Sequence, residues 1–153
     1  MLDAIKAFID TLSPEKEPSE QEKQHAIELA TSVLMVEMCR IDGQVNSAET
    51  SHLRQLLEHQ FELTTEEKNE LMTLAENALD ESTDYFQFTA ILNQHYSQQE
   101  KIELIGNLWQ IAFVDGKADS HESHLLRKLA SLLHVSHKDF IRAKHQAEQD
   151  VSR

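Results

Sequence analysis

Apolar residues recur every three or four positions along most of the chain, which is the spacing of one face of an α-helix. No segment alternates apolar and polar residues convincingly, so no β-strand is predicted. The predicted helices cover approximately residues 2–12, 19–41, 47–60, 64–79, 84–95, 97–114, 120–133 and a last segment that begins at 136. Because the connections are short, consecutive helices should be antiparallel neighbours. The pattern predicts an all-α, single-domain bundle of about seven to eight helices.

Capping signals mark several of the predicted helix starts. A hydroxyl residue with an acid three positions later satisfies the exposed N–H groups of a first helical turn. Such pairs are Ser19 with Glu22, Thr64 with Glu67, Ser97 with Glu100, and Ser136 with Asp139. The stripes predicted to face the core include Ile27, Ala30, Leu34 and Met38 in one helix, and Phe86, Phe88, Ile91 and Leu92 in another.

The first 18 residues differ from the rest. An apolar stripe over 2–12 predicts an amphipathic helix, and the charged run 13–18, which holds Pro14 and Pro18, predicts a linker. We therefore divide the chain into this N-terminal segment, 1–18, and a helical domain, 19–150. The first helix is expected to pack on its own bundle, but the linker also permits it to dock onto a partner or a second copy of the chain, which would give a homo-oligomer.

Composition limits the partners. The 153 residues carry a net charge of −13, which disfavours nucleic acid and anionic membrane surfaces and favours cations or basic protein surfaces. No run approaches the ~20 apolar residues of a membrane span. Cys39 is the only cysteine, which is typical of a reducing compartment, and we expect a cytoplasmic protein.

One short phrase occurs twice, 73 positions apart, as residues 41–49 and 114–122. Seven of the sixteen positions 42–57 are identical in the second copy, and they include the Asp, the Gly and the Glu of the phrase. The repeat predicts a duplicated helix–loop–helix unit packed with pseudo-two-fold symmetry. Each copy contributes three residues with oxygen-bearing side chains: Asp42, Asn46 and Glu49, then Asp115, Asp119 and Glu122.

Helix capping explains much of this phrase without any ligand. The glycine can end one helix, Asn46 or Asp119 can cap the next, and Glu49 or Glu122 stands at the reciprocal capping position. Asp42 and Asp115 are not explained in this way. Each follows a predicted helix at its negative pole, where a carboxylate is disfavoured by up to about 1 kcal/mol.

A divalent cation is the other explanation, because Asp, Asn and Glu supply the hard oxygens that Ca²⁺ and Mg²⁺ prefer. The phrase matches the second half of a calcium-binding EF-hand loop but lacks its first ligands, since Met38 and Arg40 occupy those positions in the first copy. Any such site would take oxygens from elsewhere, most simply from the other copy.

A helical chain with two such loops closing duplicated helical pairs resembles the tellurite resistance TerB-like family over roughly residues 24–147. The resemblance implies an all-helical fold and a metal-binding or stress-associated module with no established reaction. It also implies that the acidic loop residues are cation ligands: Asp42, Asn46, Glu49, Asp115, Asp119 and Glu122. Asn46 departs from the acid expected there, which lowers the charge of the first loop.

Other metal chemistry has weaker support. Glu22 with His25, and Glu49 with His52, have the Glu-x-x-His spacing of di-iron bundles, but we interpret both histidines as exposed. His121 and His124 could join a transition-metal site or could simply be exposed.

The sequence therefore predicts a non-enzymatic TerB-like module that binds a divalent cation or acts in a stress response. The alternative is an acidic interaction scaffold for a basic protein partner, with loops that only cap helices. A metal-dependent enzyme is the third and weakest hypothesis.

Overall fold

The computed structural model describes residues 19–41, 47–81, 85–114 and 118–151, and within these ranges the regular structure is entirely helical. The described helices are α1 (Glu20–Arg40), α2 (Ser47–Phe61), α3 (Thr65–Glu81), α4 (Phe86–His95), α5 (Gln98–Phe113), α6 (Ser120–Leu132) and α7 (His137–Val151). The predicted all-α class is confirmed. The predicted N-terminal helix and linker lie outside the described residues.

Two helices form the centre of the bundle. Helix α1 packs against α2, α3, α4 and α5, while α5 packs against α1, α2, α6 and α7. A helix that is apolar around most of its circumference must be enclosed by other helices. The buried apolar residues of α1 are Ala26, Leu29, Ala30, Val33, Leu34, Met35, Val36, Met38 and Cys39. Each central helix directly precedes one copy of the repeated phrase in the sequence.

Side-chain caps fix the helix starts where the sequence predicts them. The Ser19 hydroxyl accepts a hydrogen bond from the Glu22 amide at 3.2 Å, and α1 begins at the next residue. Reciprocal capping boxes join Thr64 with Glu67, and Ser97 with Glu100. These bonds satisfy amide groups that would otherwise have no partner in the first helical turn.

The prediction that Phe86 belongs to the core is wrong. Phe86 was placed on the buried stripe of its helix, but it is the first residue of α4 and its side chain is 67% exposed. Phe88, two positions later, is fully buried. Successive residues of a helix are about 100° apart, so a stripe can include Phe88, Ile91 and Leu92 while Phe86 points away.

Within the described ranges, each helix is too short or too polar to span a bilayer.

The two phenylalanines of α4 provide a matched test of the core. Phe88→Ala should lower the free energy of unfolding by about 3–5 kcal/mol, because it leaves a cavity in a close-packed interior. Phe86→Ala should change it by no more than about 0.5 kcal/mol, because most of that ring already contacts water. Urea denaturation of both variants would check this, and equal losses would contradict the assignment.

Candidate functional site

One residue from each copy of the repeated phrase, Ile41 of the first copy and Ser120 of the second, borders the same cavity. Ile41 directly precedes the first Asp-Gly pair, and Ser120 directly follows Asp119 of the second copy. The cavity has a volume of about 440 Å³ and is lined by Ile41, Tyr85, Ser120, His121, His124, Leu125 and Lys128. The end of α1, the start of α4 and the first half of α6 thus meet at this place.

The Tyr85 wall of this cavity is held by a chain of polar contacts. The Tyr85 hydroxyl donates a hydrogen bond to Glu37 Oε2 at 2.5 Å, and Arg40 Nε lies 3.6 Å from Glu37 Oε1. Arg40 also donates to Asp80 Oδ1 at 3.0 Å, which ties the end of α1 to the end of α3. Burial, followed by the neighbouring Glu37 carboxylate, raises the pKa of Tyr85. The phenol therefore stays protonated and acts as a fixed donor.

The second copy of the phrase forms a complete capping box. Asp119 Oδ1 accepts from the Glu122 amide at 2.8 Å, and Glu122 Oε1 accepts from the Asp119 amide at 3.2 Å. This confirms the predicted capping role of both residues. The Glu122 side chain is only 3% exposed, so this carboxylate lies inside the protein although it belongs to a loop motif.

The first copy is described only in part. Glu49 is the third residue of α2, the position that Glu122 occupies in α6, and its side chain is also 3% exposed. Asp42, Asn46 and Asp115 lie outside the described residues, so their predicted role as cation ligands stays a prediction. Within the described ranges, no three His, Cys, Asp or Glu side chains are close enough together to hold a metal ion.

The histidines are divided between two settings. His121 and His124 are exposed, as predicted, and both line the cavity. His25 and His52 were predicted to be exposed, but both are partly buried, and His52 Nε2 lies 3.2 Å from Gln110 Oε1. His52 thus belongs to the α2–α5 contact, which its pairing with Glu49 in the sequence did not indicate.

A second cavity of about 440 Å³ lies between α2 and α5. Its lining is more polar and consists of Leu56, His59, Gln60, Glu100, Glu103, Leu104 and Asn107. Glu100 is already engaged, because its Oε1 accepts from the Ser97 amide at 2.9 Å. Sequence reasoning missed this cavity because it joins the surfaces of two helices that are distant in the chain.

Sequence reasoning also missed a buried acid in the centre of the bundle. Glu28 of α1 is 6% exposed, and Gln24 Nε2 donates to its Oε1 at 3.4 Å. Burial raises the pKa of Glu28, an effect that the Gln24 hydrogen bond and the nearby His25 partly offset. Glu28 belongs to no motif. The only sequence signal for its burial is that the surrounding residues of α1 are apolar around most of the helix.

The buried Glu28 carboxylate should make stability depend on pH. The pKa of Glu28 in the folded protein is raised above its ordinary value of 4.5. The buried carboxylate therefore destabilises the folded state at pH values above that raised pKa, where it is ionised. Well below pH 4.5 the group is protonated in both the folded and the unfolded state, and this destabilisation is absent. Glu28→Gln should therefore stabilise the protein at neutral pH, and the gain should shrink as the pH falls toward 4.5. Urea denaturation at several pH values would check this. A gain of the same size at every pH would contradict it.

The capping role of Asp119 can be tested in chelator-treated protein. Asp119→Ala should lower the free energy of unfolding by about 0.5–2 kcal/mol, because the Glu122 amide loses its acceptor. Asp119→Asn keeps a side-chain oxygen at the same place and should remain close to the wild type. If the two variants lost equal stability, the negative charge of Asp119 would matter more than the cap.

Comparison with known proteins identifies the family. The family model described as Tellurite resistance protein TerB matches residues 28–145, which include both copies of the repeated phrase. The comparison with curated proteins gave no match. The comparison with solved structures gave none either. The family match covers most of the 153 residues and agrees with the helical fold, and the chain therefore belongs to the TerB family of tellurite resistance proteins.

Proposed function

We propose that this chain is a non-enzymatic module that binds a divalent cation through its two acidic loops, in a stress-response role related to tellurite resistance. The proposed ligands are Asp42, Asn46, Glu49, Asp115, Asp119 and Glu122. The observation that carries the proposal is that Ile41 and Ser120, which follow α1 and begin α6 next to the two loops, border the same cavity. One cation could then draw oxygens from both copies.

The charges at the helix ends favour a cation. The carbonyl end of a helix carries a partial negative charge. Helix α1 has Arg40 in its last turn, whereas the last turn of α5 contains no basic residue. Asp115 follows α5 directly after Val114. In the sequence, its negative charge therefore comes next to the negative end of a helix whose last turn has no basic residue. A bound divalent cation would offset both.

The alternative is an acidic scaffold for a basic protein partner, in which the loops only cap helices. The capping box of Asp119 and Glu122 favours this second function, because it accounts for both side chains without a ligand. The net charge of −13 supplies the attraction to a basic surface. The two functions differ in what they require of Asp42 and Asp115, which capping does not explain.

Calorimetric titration of tag-free, metal-free protein with Ca²⁺, Mg²⁺, Mn²⁺ and Zn²⁺ tests the proposal. Wild-type protein should bind at least one of these ions, and the double variant Asp42→Asn/Asp115→Asn should bind it at least about 10-fold more weakly, as expected for lost ligands at a metal site. The charge-matched control is Glu66→Gln/Glu70→Gln, which removes two exposed acids near the start of α3 and should bind as the wild type does.

Two results would reject the cation function. Wild-type protein that binds none of these ions at millimolar concentration has no such site. Binding that is unchanged in Asp42→Asn/Asp115→Asn places the site away from these carboxylates. If that variant lost thermal stability and no ion stabilised the wild type, the scaffold function would be favoured.

A further inference from the structure

We infer that the cavity between α1, α4 and α6 binds a small organic anion, in which a negatively charged group is attached to an apolar body. The inference goes beyond the proposed cation function, because it uses only described lining residues and none of them is a proposed cation ligand. The volume of about 440 Å³ is within the range of about 300–1,000 Å³ that is usual for small-molecule sites.

The part of the lining that α6 supplies carries a row of hydrogen-bond donors. His121, His124 and Lys128 belong to this helix, and all three line the cavity. Helix positions that are three and seven residues apart lie on one face, so these side chains form a single row about 10 Å long. An ammonium group donates three hydrogen bonds, and an imidazole has at least one N–H to donate. The row therefore suits an anionic group, which accepts hydrogen bonds.

The charges around this row also favour an anion. The described lining contains no carboxylate. Glu37, which accepts the hydrogen bond of Tyr85, is already paired with Arg40, whose Nε lies 3.6 Å from Glu37 Oε1. Within the described ranges Lys128 makes no ion pair, and its ammonium group lies over the Tyr85 ring, 5.3 Å from the ring centre. An anion in the cavity would supply the negative charge that Lys128 lacks in this part of the chain.

The rest of the lining is mainly apolar. Ile41, Leu125 and the ring of Tyr85 form it, and the Tyr85 hydroxyl is already used by Glu37. Removing apolar surface from water favours binding, so a ligand with an aliphatic or aromatic body gains affinity that a bare inorganic ion lacks. The donors and the apolar wall together select a ligand that has both kinds of surface.

Helix α6 holds the donors in place before any ligand arrives. Its first turn is fixed by the hydrogen bonds between Asp119 and Glu122, and its inner face is anchored by Leu125 and Leu126, which are 4% and 0% exposed. A site on a rigid element loses less conformational freedom on binding than a site on a loop. The row on α6 is therefore suited to selective binding.

Two matched probes test the inference. Anilinonaphthalene sulfonate is an aromatic anion whose fluorescence rises in an apolar site, and phenylnaphthylamine has the same rings without the sulfonate. Both are titrated into folded, full-length, tag-free and metal-free protein, and calorimetry gives the stoichiometry. Wild-type protein should bind the anion at one site per chain and at least about 10-fold more tightly than the neutral probe, because charged hydrogen bonds add to the apolar contact. A purely apolar cavity would prefer the neutral probe, and equal or tighter binding of that probe would overturn the inference.

Variants then locate the site. His124→Gln/Lys128→Gln should weaken binding of the anion by at least about 10-fold and should leave the neutral probe within about two-fold, because the apolar wall is kept. The matched control Lys138→Gln/His145→Gln removes the same two residue types from exposed positions of α7 that do not line this cavity, and it should bind both probes as the wild type does. Circular dichroism confirms that each variant is folded.

The charge of Lys128 decides between an anion and other ligands. Lys128→Arg keeps the positive charge and should retain the preference for the anion, which Lys128→Gln should reduce by about five-fold. Equal weakening in the cavity variant and in the control would show that only net charge matters and would overturn the inference. Tighter binding of the anion in Lys128→Gln would overturn it as well.

The inference and the cation function fail separately. The variant Asp42→Asn/Asp115→Asn changes no lining residue of the cavity, so it should keep the preference for the anion, and loss of that preference would overturn the inference. If the wild type binds no divalent cation but prefers the anionic probe, the cation function is rejected and the inference stands. If it binds a cation and does not prefer the anionic probe, the inference is rejected and the cation function stands.

Discussion

The burial of two helices from nearly all sides is the constraint on which the rest of this structure depends. Helices α1 and α5 contact each other, and each is enclosed by three further helices. Neither could be stable at the surface, because the side chains that it would then expose are largely apolar. Helix α1 ends at Arg40, and the next residue, Ile41, lines the first cavity together with Ser120 of α6. The packing of the central helices thereby positions the residues that line this cavity.

The helical fold could be predicted from the sequence because its signals are local. Apolar spacing identified the helices, and the pairs Ser19/Glu22 and Thr64/Glu67 located their starts to within a residue or two. Phe86 was misplaced because a residue at a helix boundary can satisfy the apolar spacing and still face water. Glu28 was missed because an acid on a helix is ordinarily assumed to be on its solvent face.

The candidate site could be predicted only in part, because it depends on which helices meet. The sequence identified the repeated acids and the two histidines of α6. It did not predict that Tyr85 and Ile41 line the same cavity as His121 and His124. Tyr85 belongs to no motif, and its hydrogen bond to Glu37 spans 48 positions of the chain. Contacts of this kind follow from the packing of α1, α4 and α6, which the periodicity of a single helix does not encode.

Capping and cation binding are compatible uses of the same side chains. In the capping box, Glu122 Oε1 and Asp119 Oδ1 each accept a backbone N–H, yet a carboxylate has two oxygens with several acceptor positions. The capping bonds also fix the orientation of both carboxylates, and hydrogen bonds orient the ligands of metal sites in the same way. A capping box at this position is therefore a suitable support for a metal ligand. The discriminating residues are Asp42 and Asp115, since a carboxylate that follows the negative pole of a helix has no capping role there.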